Sequence, residues 1–233
     1  MIALAIETAS LDVGVALADE TGPLVVLATR AGRRHAETLH PLVEEACRLA
    51  GVTLGDVGGV AVDVGPGLFT GIRVGLAAAK GFAVALGVPL VGLTSLEILH
   101  AAMTAASNGT AVVAPMVDLR RGEVAWALGR PGEALSEPRL SPAGEAASAL
   151  AALAAGGESV IVGGDGARRY SGLFDPRVAV AGPELAAPPV ASLSVRAVAS
   201  LEAGKASLPM EVQPVYLREP DARINWSKMH EGL

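Results

Sequence analysis

The fold of this chain is decided by the stretch Gly65-Pro66-Gly67-Leu68-Phe69-Thr70-Gly71-Ile72-Arg73-Val74-Gly75. An apolar run at 59–64 precedes this stretch and predicts a buried strand. The segment 70–86 contains no proline and is long enough to form a helix. A strand, a glycine turn and a helix in this order direct backbone N–H groups and the positive end of a helix dipole at a ligand or a partner.

The same stretch does not match the two common phosphate-binding motifs. A P-loop requires lysine and then serine or threonine directly after its second glycine, whereas Ile72 and Arg73 follow Gly71 here. A dinucleotide-binding fingerprint requires a third glycine where this chain has Thr70, and an acidic residue about twenty positions further on, which is missing. The spacing therefore favours a tight structural turn over a phosphate site.

Composition excludes several classes of protein. The net charge of −6 argues against an autonomous nucleic-acid binder, which needs a basic face. Cys47 is the only cysteine, so an internal disulfide is impossible. The first residues include Glu7 and Asp12 and lack the basic start of a signal peptide. The most apolar window, 81–96, is too short and too interrupted for a membrane span. We expect a cytoplasmic protein with no membrane contact.

Hydrophobic periodicity predicts an α/β chain in two lobes. The N-terminal lobe spans 1–107 and the C-terminal lobe spans 108–233 with a polar tail, because Ser107-Asn108-Gly109 is the strongest turn signal between two patterned regions. Pro41 fits only near the first turn of a helix, which places the start of the first helix close to Thr38. The predicted elements of the first lobe are strands at 2–7, 13–18, 24–29, 59–64 and 88–93 and helices at 38–50, 70–86 and 96–105.

The second lobe is predicted to begin with two strands, 111–118 and 123–128, around a hairpin-like connection at 119–122. An alanine-rich helix at 143–155, a short strand at 159–162 and a final helix at 190–203 follow. An irregular linker at 183–189 separates the last two elements, and the chain from Asp221 is polar.

The helix 70–86 carries a row of small residues. Gly71, Gly75, Ala79, Ala83 and Gly87 recur every four positions and lie along one slowly drifting row. Small side chains allow another backbone to approach closely, while the other faces of this helix are also apolar. Two interpretations remain open at this point: the helix is buried in its own fold, or one side of it faces a second protein.

The histidines do not form a metal motif. His35 and His40 are five residues apart, which does not place both on one helical face, and His100 and His230 have no neighbouring histidine. Core or surface roles are the simpler interpretation. No set of serine, histidine and aspartate can be assembled from proximity in the sequence.

The carboxylates Glu7, Asp12, Asp63, Asp118 and Glu123 lie at strand ends. In sugar kinases and actin-like ATPases, an early aspartate followed by glycine and hydroxyl residues orders magnesium and phosphate. The segment 7–14 begins with glutamate and lacks an immediate glycine, so it makes a poor loop of this kind. We expect Asp118 and Glu123 to pair with the adjacent arginines 120 and 121, in surface pairs that contribute less than ~1 kcal/mol.

Several motifs along the chain, taken together, resemble the TsaB (YeaZ) family. They are Ile6-Glu7-Thr8-Ala9, His35, the stretch 65–75, the pattern Asp118-x-x-Arg121-Gly122-Glu123-Val124 and Pro214-Val215-Tyr216-Leu217-Arg218. The glycine motif is long and specific, although Leu68 replaces the serine that is common in it. The resemblance implies a bacterial protein with a degenerate form of the two-lobed actin-like ATPase (ribonuclease H-like) fold.

The resemblance also implies a function. Proteins of this family work with a paralogue, TsaD, and an ATPase, TsaE, to transfer a threonylcarbamoyl group from an adenylate to the adenosine beside the tRNA anticodon. ATP and the catalytic metal belong to those partners. The resemblance therefore implies a non-catalytic scaffold subunit with no catalytic residue, metal ligand or cofactor of its own, which contacts tRNA through the complex.

In this family the partner surface is built by the first two helices, here 38–50 and 70–86, and the same surface forms homodimers when the partner is absent. The resemblance thus assigns partner binding to Leu39, Leu42, Val43, Ala46, Gly71, Ile72, Gly75, Ala79 and Phe82. The motif loop before and at the start of the second helix comprises Gly65, Pro66, Gly67, Phe69, Thr70 and Arg73.

Two other functions remain as alternatives. The lobe pattern and the glycine loops are compatible with an active ATPase or a sugar-kinase-like phosphotransferase, which would bind magnesium-ATP tightly by itself. A peptidase is a third possibility because relatives have carried that label. Neither a nucleophile constellation nor a metal pair in the sequence supports it.

Overall fold

The computed structural model describes residues 1–217 and contains two mixed β-sheets. The first sheet has the strand order β3-β2-β1-β4-β5. Strands β1, β2 and β3 form an antiparallel meander, and β4 and β5 run parallel to β1. Their bounds are β1 Ile2–Glu7, β2 Asp12–Asp19, β3 Gly22–Arg30, β4 Val57–Asp63 and β5 Leu90–Leu93.

Helices cover both faces of the first sheet. Leu4 and Ile6 of β1 pack into one core with α1 (His35–Ala50) and α2 (Phe69–Leu86). The alternate residues Ala3 and Ala5 point to the other face, against α6 (Val190–Glu202). Successive side chains of a strand point to opposite faces of the sheet. Both faces of β1 are buried, and its sequence is therefore a continuous apolar run.

The second sheet has the strand order β10-β9-β6-β7-β8. Strands β6, β9 and β10 are parallel, and β7 and β8 are antiparallel neighbours of β6 and β7. The helix α3 packs on β6, and α4 contributes Ala146 and Leu150 to the core of this lobe. The bounds are β6 Val112–Asp118, β7 Glu123–Trp126, β8 Arg139–Pro142, β9 Val160–Gly163, β10 Val178–Val180, α3 Ser95–Ala106, α4 Ala143–Ala155 and α5 Asp165–Arg169.

The prediction of an α/β fold in two lobes is confirmed. The predicted start of the first helix is wrong, since α1 begins at His35 and contains Pro41 in its interior. An interior proline removes one backbone donor, which in a regular helix would bond the carbonyl four residues earlier. The first turn is held independently of that bond, because the His35 ring bonds the Ser10 carbonyl oxygen at 2.9 Å and the Thr38 hydroxyl donates to the Arg34 carbonyl oxygen at 2.7 Å.

The last helix returns to the first lobe. Val190, Leu193, Ala197 and Leu201 of α6 form a core with β1 and β2, although the helix lies 83 residues beyond the predicted boundary at 107. The division 1–107 and 108–233 stays a prediction, but α6 belongs to the core of the first sheet. The short elements β8, α5 and β10 were not predicted, because three to five residues carry too little periodicity. The predicted polar tail from Asp221 lies outside the described residues.

Candidate functional site

The glycines of the motif loop permit close packing against the end of β1. A Cβ atom at Gly67 would lie 2.2 Å from the Ala9 carbonyl oxygen, and one at Gly71 would lie 1.9 Å from the Thr8 carbonyl oxygen. The Leu68 N–H donates to the Ala9 carbonyl oxygen at 2.7 Å. The loop N–H groups of Gly65 and Leu68 thus already have acceptors within the protein, which supports a structural turn rather than a phosphate cradle.

The row of small residues on α2 faces this chain's own first strand. A Cβ atom at Gly75 would lie 2.1 Å from the Thr8 hydroxyl oxygen, and Ala79 belongs to the core beneath the sheet. The Thr8 hydroxyl donates to the Gly71 carbonyl oxygen at 2.9 Å in a fully buried position. The row from Gly71 to Ala83 is therefore buried against this chain's own sheet and does not face a second protein. Only small residues let α2 approach β1 this closely.

The same correction applies to most residues that the resemblance assigned to partner binding. Seven of them are buried in the chain's own core and present no outer surface: Leu39, Val43, Ala46, Gly71, Ile72, Gly75 and Ala79. Leu42 and Phe82 are partly exposed and can still contribute to a surface. The residues of α1 and α2 that carry the strongest apolar periodicity are therefore those that pack inward.

The outer side of α2 is apolar. Phe69 and Val84 are 41% and 63% exposed, and Ala77 and Gly81 are also exposed. Within residues 1–217, α2 is the one helix long and apolar enough to cross a membrane by length and composition, and only 33% of it is buried. A single helix of this kind is weak evidence for a membrane span, and α2 packs on β4 in the sheet. Its open apolar side indicates an interaction surface.

The motif loop delivers polar and aromatic groups to the same surface. Gly65 and Pro66 are buried and Gly67 is partly buried, whereas Phe69 and Thr70 are exposed. Arg73 is exposed as well, and its guanidinium carbon lies 3.6 Å from the centroid of the Phe69 ring. The loop thus begins in the core and ends on the outer side of α2.

Two buried carboxyl groups lie beneath the motif loop. Glu7 and Asp63 follow the paired residues Ile6 and Val62 at the ends of the parallel strands β1 and β4, and both are buried. Asp63 accepts hydrogen bonds from the Ser95 hydroxyl at 2.8 Å and from the Gly65 N–H at 2.7 Å. Glu7 accepts hydrogen bonds from the Ser10 N–H and hydroxyl, both at 3.1 Å.

Burial shifts the titration of this pair. Loss of hydration raises the pKa of Asp63 to about 7, against the hydrogen bonds that favour its charged form. Loss of hydration, followed by the charge of Asp63, raises the pKa of Glu7 well above its ordinary value. Both carboxyl groups are occupied by hydroxyl and backbone donors of the chain, so their arrangement holds loops in place.

The described residues 1–217 contain no cluster of three or more histidine, cysteine or acidic side chains that could hold a metal ion. His35 is buried and holds the start of α1 to the Ser10 carbonyl, and the exposed His40 lies beside the Phe82 ring. Burial, followed by the charge of Arg196, lowers the pKa of His100. His230 lies outside the described residues.

A second cluster surrounds Asp118 at the end of β6. Its buried carboxylate lies 3.2 Å from Arg120 and 3.4 Å from Arg169, and it accepts a hydrogen bond from the Tyr170 hydroxyl at 3.1 Å. The pairing of Asp118 with Arg120 was predicted. The contacts with Arg169 and Tyr170 were missed, because those residues are about fifty positions away in the sequence.

A cleft of about 180 Å³ separates the two lobes near this cluster. Its charged lining residues are Asp12, Arg30, Asp165 and Arg168. Part of the Asp165 surface is open to solvent, but incomplete hydration of the carboxyl within the cleft raises its pKa to about 6. Two carboxylates oppose two guanidinium groups, so the lining has little excess of positive charge.

Comparison with known proteins places the chain in a family. A protein-family model described as TsaD, tRNA N6-adenosine threonylcarbamoyltransferase, matches residues 25–226. The tRNA threonylcarbamoyladenosine biosynthesis protein TsaB of Escherichia coli is 33% identical over 124 residues, which are 53% of each chain. The crystal structure of a Pseudomonas aeruginosa protein with similarity to peptidase YEAZ superposes with a TM-score of 0.80 at 28% identity, over 93% of this chain and 99% of the other.

The chain belongs to the TsaB (YeaZ) family. The structure of YeaZ from Pseudomonas aeruginosa agrees, with a TM-score of 0.75, 27% identity and the same coverage. The uncharacterized Mycobacterium tuberculosis protein Rv3421c is 36% identical over 203 residues, or 86% of this chain and 84% of the relative. The ethanolamine utilization protein EutJ of Carboxydothermus hydrogenoformans, 15% identical with a TM-score of 0.53, shares the fold alone. TsaB-family membership thus confirms the expected actin-like fold and links the chain to tRNA threonylcarbamoyladenosine biosynthesis.

Proposed function

We propose that this chain is a non-catalytic scaffold subunit of the bacterial complex that forms N6-threonylcarbamoyladenosine next to the anticodon of tRNA, and that it binds the TsaD catalytic paralogue. Family membership supports the process in which the chain takes part. The observation that carries the binding role is the open apolar side of α2, where Phe69 and Val84 are 41% and 63% exposed. When a partner covers an apolar helix face of this kind, the removal of apolar surface from water stabilises the complex.

The docking face, as proposed, consists of the outer side of α2 and the edge of α1 that adjoins it. His40 and Phe82 form a ring contact between the two helices, with centroids 5.7 Å apart. The contact joins the helices into one surface. The members of the docking face are His40, Phe69, Arg73, Ala77, Gly81, Phe82 and Val84. The same face forms the homodimer when the paralogue is absent.

The hydrogen bonds that occupy the acidic side chains support a non-catalytic role. In an actin-like ATPase or a sugar kinase, an early aspartate followed by glycine and hydroxyl residues orders magnesium and phosphate. Here Glu7 and Asp63 are buried and accept hydrogen bonds from Ser10, Gly65 and Ser95. We therefore assign ATP hydrolysis and the catalytic metal to the partners TsaE and TsaD, contact with tRNA to the assembled complex, and the location of the assembly to the cytoplasm.

The binding role is tested by measuring molar mass in solution with and without the paralogue. We expect a 1:1 complex, and we expect Val84→Glu to weaken it because a charge at an exposed, apolar contact must be desolvated. Leu173→Glu is a matched control, since Leu173 is 53% exposed but lies in the second lobe. A mixture that stays unassociated at micromolar concentration would refute the proposal.

The non-catalytic role is tested by assaying threonylcarbamoyl transfer to tRNA in reconstituted mixtures. We expect no product from this chain alone, product from the complete set of subunits, and little product when this chain is omitted. Transfer by the isolated chain would assign catalysis to it and overturn this part of the proposal.

The alternative, an ATPase or sugar-kinase-like phosphotransferase, would use the cleft between the lobes. The cleft has a volume of about 180 Å³, and its lining carries two acidic residues, Asp12 and Asp165, and two basic ones, Arg30 and Arg168, so it offers little attraction to a polyanion. Calorimetric titration of the isolated chain with magnesium-ATP distinguishes the functions. Micromolar binding would favour the phosphotransferase, and we expect no such binding.

A further inference from the structure

The last part of the described chain crosses the first lobe and reaches the N-terminal end of α2 in space. Leu90 and Ser207 exchange two backbone hydrogen bonds of 3.1 and 3.0 Å, and Val212 is buried in the core of the first lobe. The Val215 N–H then donates to the Val64 carbonyl oxygen at 2.8 Å. These contacts fix the backbone up to the residue before Tyr216, whose ring lies beside the motif loop.

Tyr216 holds Arg73 in one orientation. The Arg73 Nε donates to the Tyr216 hydroxyl at 3.1 Å, and the guanidinium stacks on the Phe69 ring at 3.6 Å. The centroids of the Phe69 and Tyr216 rings lie 5.1 Å apart. A guanidinium that is stacked on one ring and bonded through Nε has its terminal nitrogens directed outward with little remaining rotational freedom.

Among the described residues, no group occupies the outward edge of this guanidinium. Within residues 1–217, the terminal nitrogens of Arg73 make no hydrogen bond and no carboxylate pairs with Arg73. The helix α2 carries two cations, Arg73 and Lys80, and no acidic residue. A planar fork of N–H donors matches a carboxylate in two parallel hydrogen bonds. The surrounding Phe69 and Tyr216 rings would shield such a pair from water.

We propose that Arg73 is a specificity-determining contact of the docking face, which takes a carboxylate side chain of the TsaD paralogue, and that Phe69 and Tyr216 are its positioning residues. This inference rests on the proposed function. A protein carboxylate is favoured over a nucleic-acid phosphate because the cluster adjoins the apolar side of α2, where Ala77 is exposed, and because the chain has a net charge of −6. Buried arginine and tyrosine side chains at the centre of interfaces carry much of the binding energy.

The test measures the affinity of the full-length chain for the paralogue by calorimetry. We expect Arg73→Ala to weaken binding at least tenfold. Arg73→Lys should restore less than half of that loss on a logarithmic scale, because an ammonium group lacks the planar fork. Tyr216→Phe keeps the ring and removes only the hydroxyl, and we expect a loss of about threefold. Arg177→Ala changes an exposed arginine of the second lobe and should leave the affinity unchanged.

The positioning role has its own readout. In the Arg73→Ala background, Tyr216→Phe should have no further effect on affinity, because Tyr216 acts through Arg73. Additive losses would refute positioning, and an unchanged affinity of Arg73→Ala would refute the contact itself. An affinity of Arg73→Ala that is unchanged for the paralogue but reduced for tRNA would assign Arg73 to phosphate instead. Failure of the wild-type chain to bind the paralogue would refute the proposed function, a result distinct from all of these.

Discussion

Adding one methyl group to the inward side of α2 should destabilise the chain, whereas adding it to the outward side should stabilise it. A Cβ atom at Gly71 would lie 1.9 Å from the Thr8 carbonyl oxygen, and at Gly81 it would meet nothing within 4 Å. An ordinary contact between carbon and oxygen is about 3.3 Å or longer, so Gly71→Ala requires a shift of about 1.4 Å. The obstacle is the backbone at the end of β1, which cannot rotate aside.

The magnitude follows from overpacking and from one hydrogen bond. Forced displacement in a packed core costs roughly 1–3 kcal/mol, and loss of the bond from the Thr8 hydroxyl to the Gly71 carbonyl adds about 1 kcal/mol. We expect Gly71→Ala to lower the free energy of unfolding by about 3 kcal/mol. Gly81→Ala should raise it by up to about 1 kcal/mol, because alanine is the better helix former at an exposed position.

The assay is thermal and urea unfolding followed by circular dichroism, with molar mass measured in parallel. For a chain of this size, 1 kcal/mol shifts the melting temperature by about 2–4 °C. Gly71→Ala should therefore melt roughly 6–12 °C below the wild type, and Gly81→Ala slightly above it. A Gly71→Ala protein that keeps its melting temperature but loses its dimer would refute this reasoning, since the small row would then face a partner.

The free energy of unfolding should fall as pH rises from about 4 to 7, by up to roughly 1.4 kcal/mol per pH unit. The reason is that the pKa of Asp63 is near 3.8 in the unfolded chain and about 7 in the folded chain. The unfolded state therefore loses its proton first. Urea unfolding at pH 5 and pH 7.5 checks this, and Asp63→Asn should reduce the difference; an equal pH dependence in the variant would rule out Asp63 as its source. Trp126→Phe should lower the free energy of unfolding by about 1–2 kcal/mol, since it removes the buried hydrogen bond of 3.1 Å to the Ser141 hydroxyl. Chemical denaturation measures the loss. If Ser141→Ala loses a similar amount, and the double variant loses no more than either single variant, the loss is attributed to that bond.

Local chemistry determined much of this fold from the sequence alone. The helix from Ser95 is capped by Thr94 and Glu97 in a reciprocal pair, and Gly51 and Gly87 end α1 and α2 in the left-handed conformation that glycine favours. These signals act within four residues, so a sequence displays them directly. The long elements were therefore predicted in the right order, and the motif loop was recognised as a structural turn.

The tertiary structure alone decided what lies against each surface. Periodicity shows that Gly71 and Gly75 share a face of α2, but the element packed against that face, Thr8 at the end of β1, is more than sixty residues away. The cluster of Arg73 with Tyr216 joins positions 143 residues apart. The sequence determined which residues lie on a common side of a helix or strand, because that depends on local backbone geometry. Which side became the core and which became the open apolar face depended on long-range packing, which no local pattern encodes.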